Sequence, residues 1–559
     1  MDVGEVGAGS GRTILGRNSM KTSVLFFAIM IIAGVEALNL RGQTVERYDL
    51  IVTNARIVDG TGNPWFNGSI AVKGGKIARV SRFNLDNAEM VIDAKGRIVA
   101  PGFIDVHAHT EDIFSNPTAE NFIRMGVTSL VTGNCGGSAT NISGFLSKFR
   151  TTPLAVNLGT LIAHGSVRSS VMGLENRDPT PDEQSKMNAM VEKGMRDGAV
   201  GLSTGLIYVP GTYSKTDEVI ELARSASKYG GIYASHIRDE GTDVVKAINE
   251  AINIGELAKM PVEISHFKIS SKALWGQSPM TIGLVEAARR RGLQVTVDQY
   301  AYTASSTSLD SRMPSWAIAG GREEGKKRLA DPEIRKKVVQ EIKEDLKEKK
   351  FKDFSYAYVA SYRSNTDYNG KNILEITKLV RGKKSLDAQI DQIIEMYENG
   401  GAQMIYRVMS EDDVARIMKE PFTMIASDSG VREFGSGMPH PRGYGNNARV
   451  LARYVRELKV IGLEDAVRKM TSLPAQTFNL ADRGQIREGF AADIVIFDEN
   501  KVADRATFEA PHQYADGFMT VIVNGEVVFD GTRLTGKMPG TPLLGPGKSV
   551  LPNDGRTGQ

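Results

Sequence analysis

His107 and His109 stand two residues apart in the run FIDVHAH, so on a strand both rings project from one face and can converge on a single ion. Alone, a His-x-His pair more often packs or meets solvent than ligates. Its weight comes from four other groups that each close or follow an apolar run: Cys135 in TSLVTGNC, His236 in GIYASHIR, His266 in VEISHFK and Asp428 in FTMIASDSG. If those runs are neighbouring parallel strands, all six groups meet at one end of the sheet. Burying them together without a cation would cost several kcal/mol or so per unpaired group. Imidazole, thiolate and carboxylate together suit zinc, at ligand distances of about 2.0 to 2.3 Å, and six donors leave room for one ion or two. Zinc chemistry at such a site is Lewis-acid hydrolysis.

The elements that would position these groups are eight strand-length runs, most followed by helical patterns: 103–109, 128–135, 154–162, 199–208, 231–238, 262–268, 294–302 and 422–430. Eight βα units predict a TIM-like (β/α)8 barrel over 101–482, with its chemistry at the C-terminal strand ends. Helical stretches fill 181–197, 216–229 and 243–259. The interval after the seventh strand, 303–421, is abnormally long. Its charged stretch 322–352 reads as solvated helix and FSYAYVASYR as a strand. On the catalytic face such an insertion is a lid or substrate-side subdomain, and otherwise a peripheral decoration. Short β-type runs in 46–100 and 483–547, with hairpin signals at Gly74-Gly75 and Asn524-Gly525, predict a small discontinuous β-sandwich built from both ends. The Gly- and Pro-rich stretch from Lys537 reads as extended chain.

Composition limits the partners. Among 559 residues, 69 Lys plus Arg stand against 66 Asp plus Glu, a net charge of +3 that asks for neither nucleic acid nor an acidic membrane. The single cysteine, Cys135, excludes an intramolecular disulfide. Met20-Lys21-Thr22, the apolar run Val24 to Val35 and Val35-Glu36-Ala37 read as a cleavable secretory signal within 1–37, with Met20 as the biological start and the mature protein exported to the periplasm or beyond. The run is too short to span a bilayer. A buried N-terminal helix or an uncleaved anchor is the alternative. Oligomeric state is not legible.

The segments PGFIDVHAHTE, VTSLVTGNCG, GLSTGLIYVPG, YASHIRDEG, VEISHFK, DQYAYTASST, ASDSG, MPHPRGYG and EGFAADIVIFD carry a resemblance to the amidohydrolase superfamily, and within it to the N-acyl-D-amino-acid deacylases, over roughly Tyr48 to Gly547. The resemblance implies that Cys135, His236 and His266 hold a tight zinc. It implies that His107, His109 and Asp428 define a second, weaker or optional position, and that Asp428 is the general base. It also places Lys268, Tyr300, Ser306 and Arg442 on the substrate carboxylate. Many superfamily members bridge two metals with a carboxylated lysine at the end of strand four. Here Ser203-Thr204-Gly205-Leu206 contains none, and Cys135 takes that place as in the deacylase branch.

The implied reaction is zinc-dependent hydrolysis of the amide of a small N-acyl-D-amino acid. The alternatives are a cyclic-amide hydrolase of hydantoinase or dihydroorotase type, which the missing lysine disfavours, and an inactive exported binding protein on the same barrel. A deaminase has no expected use for the cysteine. Lys268 has a structural alternative as an ion pair with Glu263 or an acid of the insertion, and Tyr300 as packing in the barrel mouth. His164 is assigned a structural hydrogen bond, His440 a loop that positions Arg442, and His512 a place on the surface. The run Gly133 to Gly137 lacks nucleotide-loop spacing and reads as backbone room around Cys135. An apolar side-chain pocket would take leucine, methionine or phenylalanine derivatives. An acidic side chain would need a further cation, with Arg363 and Arg432 as candidates.

Overall fold

The computed structural model describes residues 47–548 together with Gly9 and Gly11, so the expected signal region, those two glycines apart, lies outside the described residues. The chain enters through β1 (Tyr48–Ile57), β2 (Phe66–Lys73), β3 (Lys76–Ser81), β4 (Ala88–Asp93) and β5 (Ile98–Pro101). Leu50, Val52, Ile70, Val72 and Ile77 bury one face of this sheet, while Ile51 and Ala71 pack on the other. Burial on both faces is why the start of β1 reads as continuous rather than alternating hydrophobicity.

The central strands follow: β6 (Phe103–Asp105), β7 (Val127–Thr132), β8 (Asn157–Thr160), β9 (Ile162–Ala163), β10 (Gly201–Gly205), β11 (Ile232–His236), β12 (Val262–Ile264) and β13 (Val295–Gln299). All their mutual pairings are parallel, in the orders β6-β7-β8 and β9-β10-β11-β12-β13. The helix Pro181–Asp197 matches its predicted span, opened by a Thr180 and Glu183 capping box with proline in the first turn. The helices Thr216–Ser227 and Val244–Ala258 end within two residues of theirs.

After β13 the chain leaves the central strands for β14 (Ser305–Ser308), β15 (Ala357–Ser361) and β16 (Gln403–Tyr406), an antiparallel sheet in the order β14-β16-β15. The charged stretch is two helices, Arg322–Leu329 and Pro332–Glu348. Pro332 causes the break: it has no N–H to continue the ladder, and Asp331 caps the new helix by accepting from the Glu333 amide at 2.8 Å. The helix Glu411–Lys419, within the expected insertion, docks instead on the helix Ser278–Arg290, where Asp413 accepts from the Ser278 hydroxyl at 2.5 Å.

β17 (Thr423–Ile425) returns beside β13. Just beyond it, the Asp428 amide donates to the His107 carbonyl at 2.8 Å and the His109 amide to the Ser429 carbonyl at 2.9 Å, stitching the exits of β17 and β6 together. Ile104, Val106, Val131, Leu161, Val200, Ile232, Ala234, Met424 and Ala426 form the interior between these strands, closed below by Phe478, Leu480 and Leu543.

The last strands, β18 (Ile494–Phe497), β19 (Phe518–Val523) and β20 (Glu526–Phe529), join the first sheet in the order β20-β19-β18-β5-β1-β2-β3, with β4 also on β1. Both hairpin signals are two-residue turns with positive φ at each central residue: 56° and 75° at Gly74 and Gly75, 46° and 84° at Asn524 and Gly525. The C-terminal stretch is extended but bound. Gly540 donates to the Leu154 carbonyl at 2.8 Å and Leu543 to that of Leu158 at 2.9 Å.

Candidate metal centre

Each ligand candidate sits where a central strand ends. His236 closes β11, Cys135 lies three residues past β7, His266 two past β12 and Asp428 three past β17. Cys135, His266 and Asp428 adopt positive φ, at 51°, 38° and 50°. A left-handed non-glycine residue costs on the order of 1 to 3 kcal/mol and persists where the surroundings over-determine it. Here that turn lifts the side chain off the ladder and into the mouth. It also explains why β12 and β17 are only three residues long although their apolar runs are longer. Glycines admit the Cys135 loop: a Cβ on Gly205 would lie 2.1 Å from the Cys135 carbonyl oxygen, and one on Gly136 would lie 2.7 Å from the Gly205 nitrogen.

The donors converge. Cys135 Sγ lies 3.2 Å from His107 Nε2 and 3.6 Å from His266 Nε2, which is itself 2.7 Å from His236 Nδ1. Asp428 Oδ1 lies 3.1 Å from His109 Nε2 and 3.7 Å from His107 Nε2. Three sets, His107 with His109 and Cys135, Cys135 with His236 and His266, and His107 with His266 and Asp428, each bring their ligand atoms within 4.8 Å of one another. Cys135 belongs to two of these sets, as a bridging sulfur would.

Charge follows geometry. Burial would push the Cys135 thiol up, but the His107 ring holds it well below the ordinary thiol range, so it stands as a thiolate. Burial likewise opposes ionisation of Asp428, and the Arg442 guanidinium, 2.9 Å from Oδ2, overrides it and holds the carboxyl well below its usual range. His236 is shifted down by burial and by His266, whereas the anionic neighbours Asp298, Asp428, Glu240 and Cys135 shift His107, His109 and His266 up against their burial. A soft anion, neutral imidazole and an ionised carboxylate in one buried cluster fit a divalent ion of zinc type.

A second layer orients these groups. Asp298 accepts from His107 Nδ1 at 2.9 Å through Oδ2 and from the His266 amide at 2.9 Å through Oδ1. Glu240 meets His266 Nδ1 at 2.9 Å. Asp105 accepts from the amides of His107 and Ser427, pinning the two strand exits together. Sequence reasoning passed over Asp105, Glu240 and Asp298; for Asp105 and Asp298 the usable signal was an acid inside an apolar strand run, and Glu240 had none.

The four substrate candidates share a cavity of about 840 Å³ with His109, Cys135, His236, His266 and Asp428. Lys268 pairs with Glu240 and donates to the His266 carbonyl at 2.7 Å; the alternative pair with Glu263 does not form. Tyr300 is buried under both cations, with Lys268 Nζ 5.7 Å and Arg442 Cζ 4.6 Å from its ring centroid. Ser306, on β14, donates to the Met404 carbonyl at 2.8 Å. Arg442 Nη2 donates to the Ser306 carbonyl at 3.4 Å. Tyr208, not singled out from the sequence as a site residue, also lines the cavity; its ring lies 4.7 Å from that of His236 and its hydroxyl 2.9 Å from that of Thr307.

The other histidines are structural. His164 is buried on Glu218 at 2.8 Å. His440 Nδ1 accepts from the Arg442 amide at 3.0 Å, as expected of a residue positioning that arginine. His512 corrects the expectation of a surface residue: it is half-buried, taking the Gly435 amide at 3.1 Å and packing on Phe434 and Tyr444. Of the two further cations, Arg363 is exposed and away from the cavity, whereas Arg432 lines it.

The model of the Amidohydrolase family matches residues 90–274 and 387–529. The D-aminoacylase of Alcaligenes xylosoxydans xylosoxydans is 34% identical over 520 residues, 89% of this chain and 97% of that protein. The chain belongs to the amidohydrolase family, on its D-aminoacylase branch. The N-acyl-D-glutamate deacylase of the same organism is 33% identical to this amidohydrolase over 507 residues, 87% of this chain and 94% of that one. Among solved structures, the N-acyl-D-glutamate deacylase of Bordetella bronchiseptica, complexed with zinc and a phosphonate inhibitor, superposes with a TM-score of 0.77 at 30% identity, covering 89% of this chain and all of that one. A D-hydantoinase structure, at 16% identity and a TM-score of 0.53, shares the fold alone.

Proposed function

We propose that this amidohydrolase is a zinc-dependent N-acyl-D-amino-acid deacylase, releasing a carboxylate and a free D-amino acid. The observation that carries the reading is the Cys135 thiolate shared between two donor sets at the mouth of the central strands. The eight parallel runs are read as a closed TIM-like barrel, joined by the β6 and β17 exits, and the branched terminal sheet as a fold around its own apolar core.

Cys135, His236 and His266 would hold the tight ion, and His107, His109 and Asp428 define an optional second position. When bound, the ion supplies Lewis acidity, polarising the amide carbonyl and lowering the pKa of water from 15.7 towards about 7. Asp428 takes a proton from the attacking water on a carboxylate oxygen and returns it to the departing amine nitrogen. Arg442 keeps that carboxyl ionised beforehand. Arg442, Lys268 and Ser306 fix the substrate's α-carboxylate. Tyr300, its hydroxyl pushed well above the usual phenol range by burial, remains a neutral donor there. Residues of β14 and β16 form part of the cavity wall, so the insertion shapes the substrate side of the site. The strand-four lysine of many cyclic-amide hydrolases is absent here, and at Gly205 a Cβ would lie 2.1 Å from the Cys135 carbonyl oxygen.

The test is incubation of zinc-loaded protein with N-acetyl-D-methionine and N-acetyl-L-methionine. D-selective release of methionine is expected; no release from the D-substrate at any zinc loading defeats the reading. Export through a cleaved signal within 1–37 is proposed from the sequence alone, and N-terminal sequencing of the secreted protein checks it.

A further inference from the structure

Three residues before His266, β12 carries an acid, Glu263, that lines no part of the cavity. Its neighbours Val262 and Ile264 face the core shared with the surrounding helices, so by alternation Glu263 faces the interior between the central strands. Register agrees: Glu263 pairs with Ala234 on β11, itself an interior residue, and with Thr296 on β13. It is only 1% exposed. Its two oxygens are unequally placed. Oε2 accepts from the Ser265 hydroxyl at 2.9 Å, while Oε1 is buried with no donor facing it. The group within hydrogen-bonding reach is the carboxyl of Asp298, whose own oxygens already accept from the His107 ring and the His266 amide. Two ionised carboxyls in contact in a dry interior repel, and one proton between them turns the contact into a charge-assisted hydrogen bond. Asp298, with an imidazole and an amide N–H on it, keeps the charge, which leaves the proton to Glu263. Burial, reinforced by the Asp298 charge, accordingly holds the Glu263 carboxyl well above the usual carboxylate range.

Resting on the metal centre of the proposed function, we infer that Glu263 is a positioning residue that stays a neutral acid and donates from Oε1 to Asp298, fixing the carboxylate that orients His107 and His266. With that proton in place, one negative charge rather than two lies beneath the ligands. Asp298 can then keep one oxygen on each of them.

Two measurements on the full chain test this. The first is the infrared difference spectrum between wild type and Glu263→Gln at mildly alkaline pH, where exposed carboxyls are ionised. The wild type is expected to show the carbonyl stretch of a protonated, hydrogen-bonded carboxyl that the variant lacks; its absence overturns the proposal, with or without metal. The second is zinc affinity by chelator competition. Glu263→Gln, whose amide N–H still donates to Asp298, is expected to bind zinc as the wild type does, and Glu263→Met, which has no donor, about 10-fold more weakly. Equal loss in both variants, or unchanged affinity in Glu263→Met, overturns the assignment. Should Glu263→Met fail to fold, the infrared band and the affinity of Glu263→Gln decide. A wild type that binds no zinc overturns the metal centre instead, and the infrared band still judges Glu263.

Discussion

Cys135 combines three conditions that rarely coincide: a left-handed backbone, glycine-lined room and ring nitrogens close to its sulfur. Cys135→Ala is therefore expected to lose bound zinc and turnover together, measured by elemental analysis and by release of D-amino acid. Asp298 acts through His107 and the His266 amide rather than on substrate. Asp298→Asn keeps the shape but weakens the orienting carboxylate, and zinc affinity is expected to fall about 10- to 100-fold in a chelator competition titration. The convergence of His107, His109, Cys135, His236, His266 and Asp428 was legible, because all six close or follow apolar runs. Asp105, Glu240 and Asp298 were not, because an acid that orients a ligand has no spacing rule. Its role exists only once neighbouring strands are in register.

At the scale of elements, strand order was readable from apolar runs, but strand length was not, because turns into the site cut β12 and β17 short. The helix break at Pro332 and the docking of Glu411–Lys419 were likewise missed; the first was visible in the proline, the second depends on Asp413 reaching Ser278. The helix Leu463–Met470 carries a further consequence through Lys469, which is fully buried and donates to the Glu420 and Thr423 carbonyls. Burial lowers its pKa from 10.5 to about 8. Between those values the unfolded chain binds more protons than the native one, so stability rises with pH across this window, and the full penalty stands below it. Raising pH from about 7.5 to about 9.5 is expected to add about 2 kcal/mol through this group. Urea unfolding of the wild type and of Lys469→Met at both pH values checks it: the variant lacks that increment.

For the whole molecule, metal and fold are linked, since the six candidate ligands are drawn from the chain between His107 and Asp428. An ion that binds only the native state stabilises it in proportion to the logarithm of its free concentration over its dissociation constant. Stripping zinc with a chelator should lower the Tm, and readdition should restore it, as read by differential scanning fluorimetry; an unchanged Tm would argue that the native chain binds no metal. Composition had already excluded an internal disulfide and gave no charge excess for nucleic acid, but the seal beneath the central strands left no trace in the sequence beyond a Gly- and Pro-rich stretch.

That seal has a consequence for biosynthesis. Leu543 closes the interior from below, while β18 to β20 complete a sheet begun by β1 to β5. Because β5 pairs with β18, the sheet begun by β1 to β5 stays unfinished until every central strand and the whole insertion have been made. A nascent chain halted before Leu543 should therefore stay open to protease, its interior without a floor.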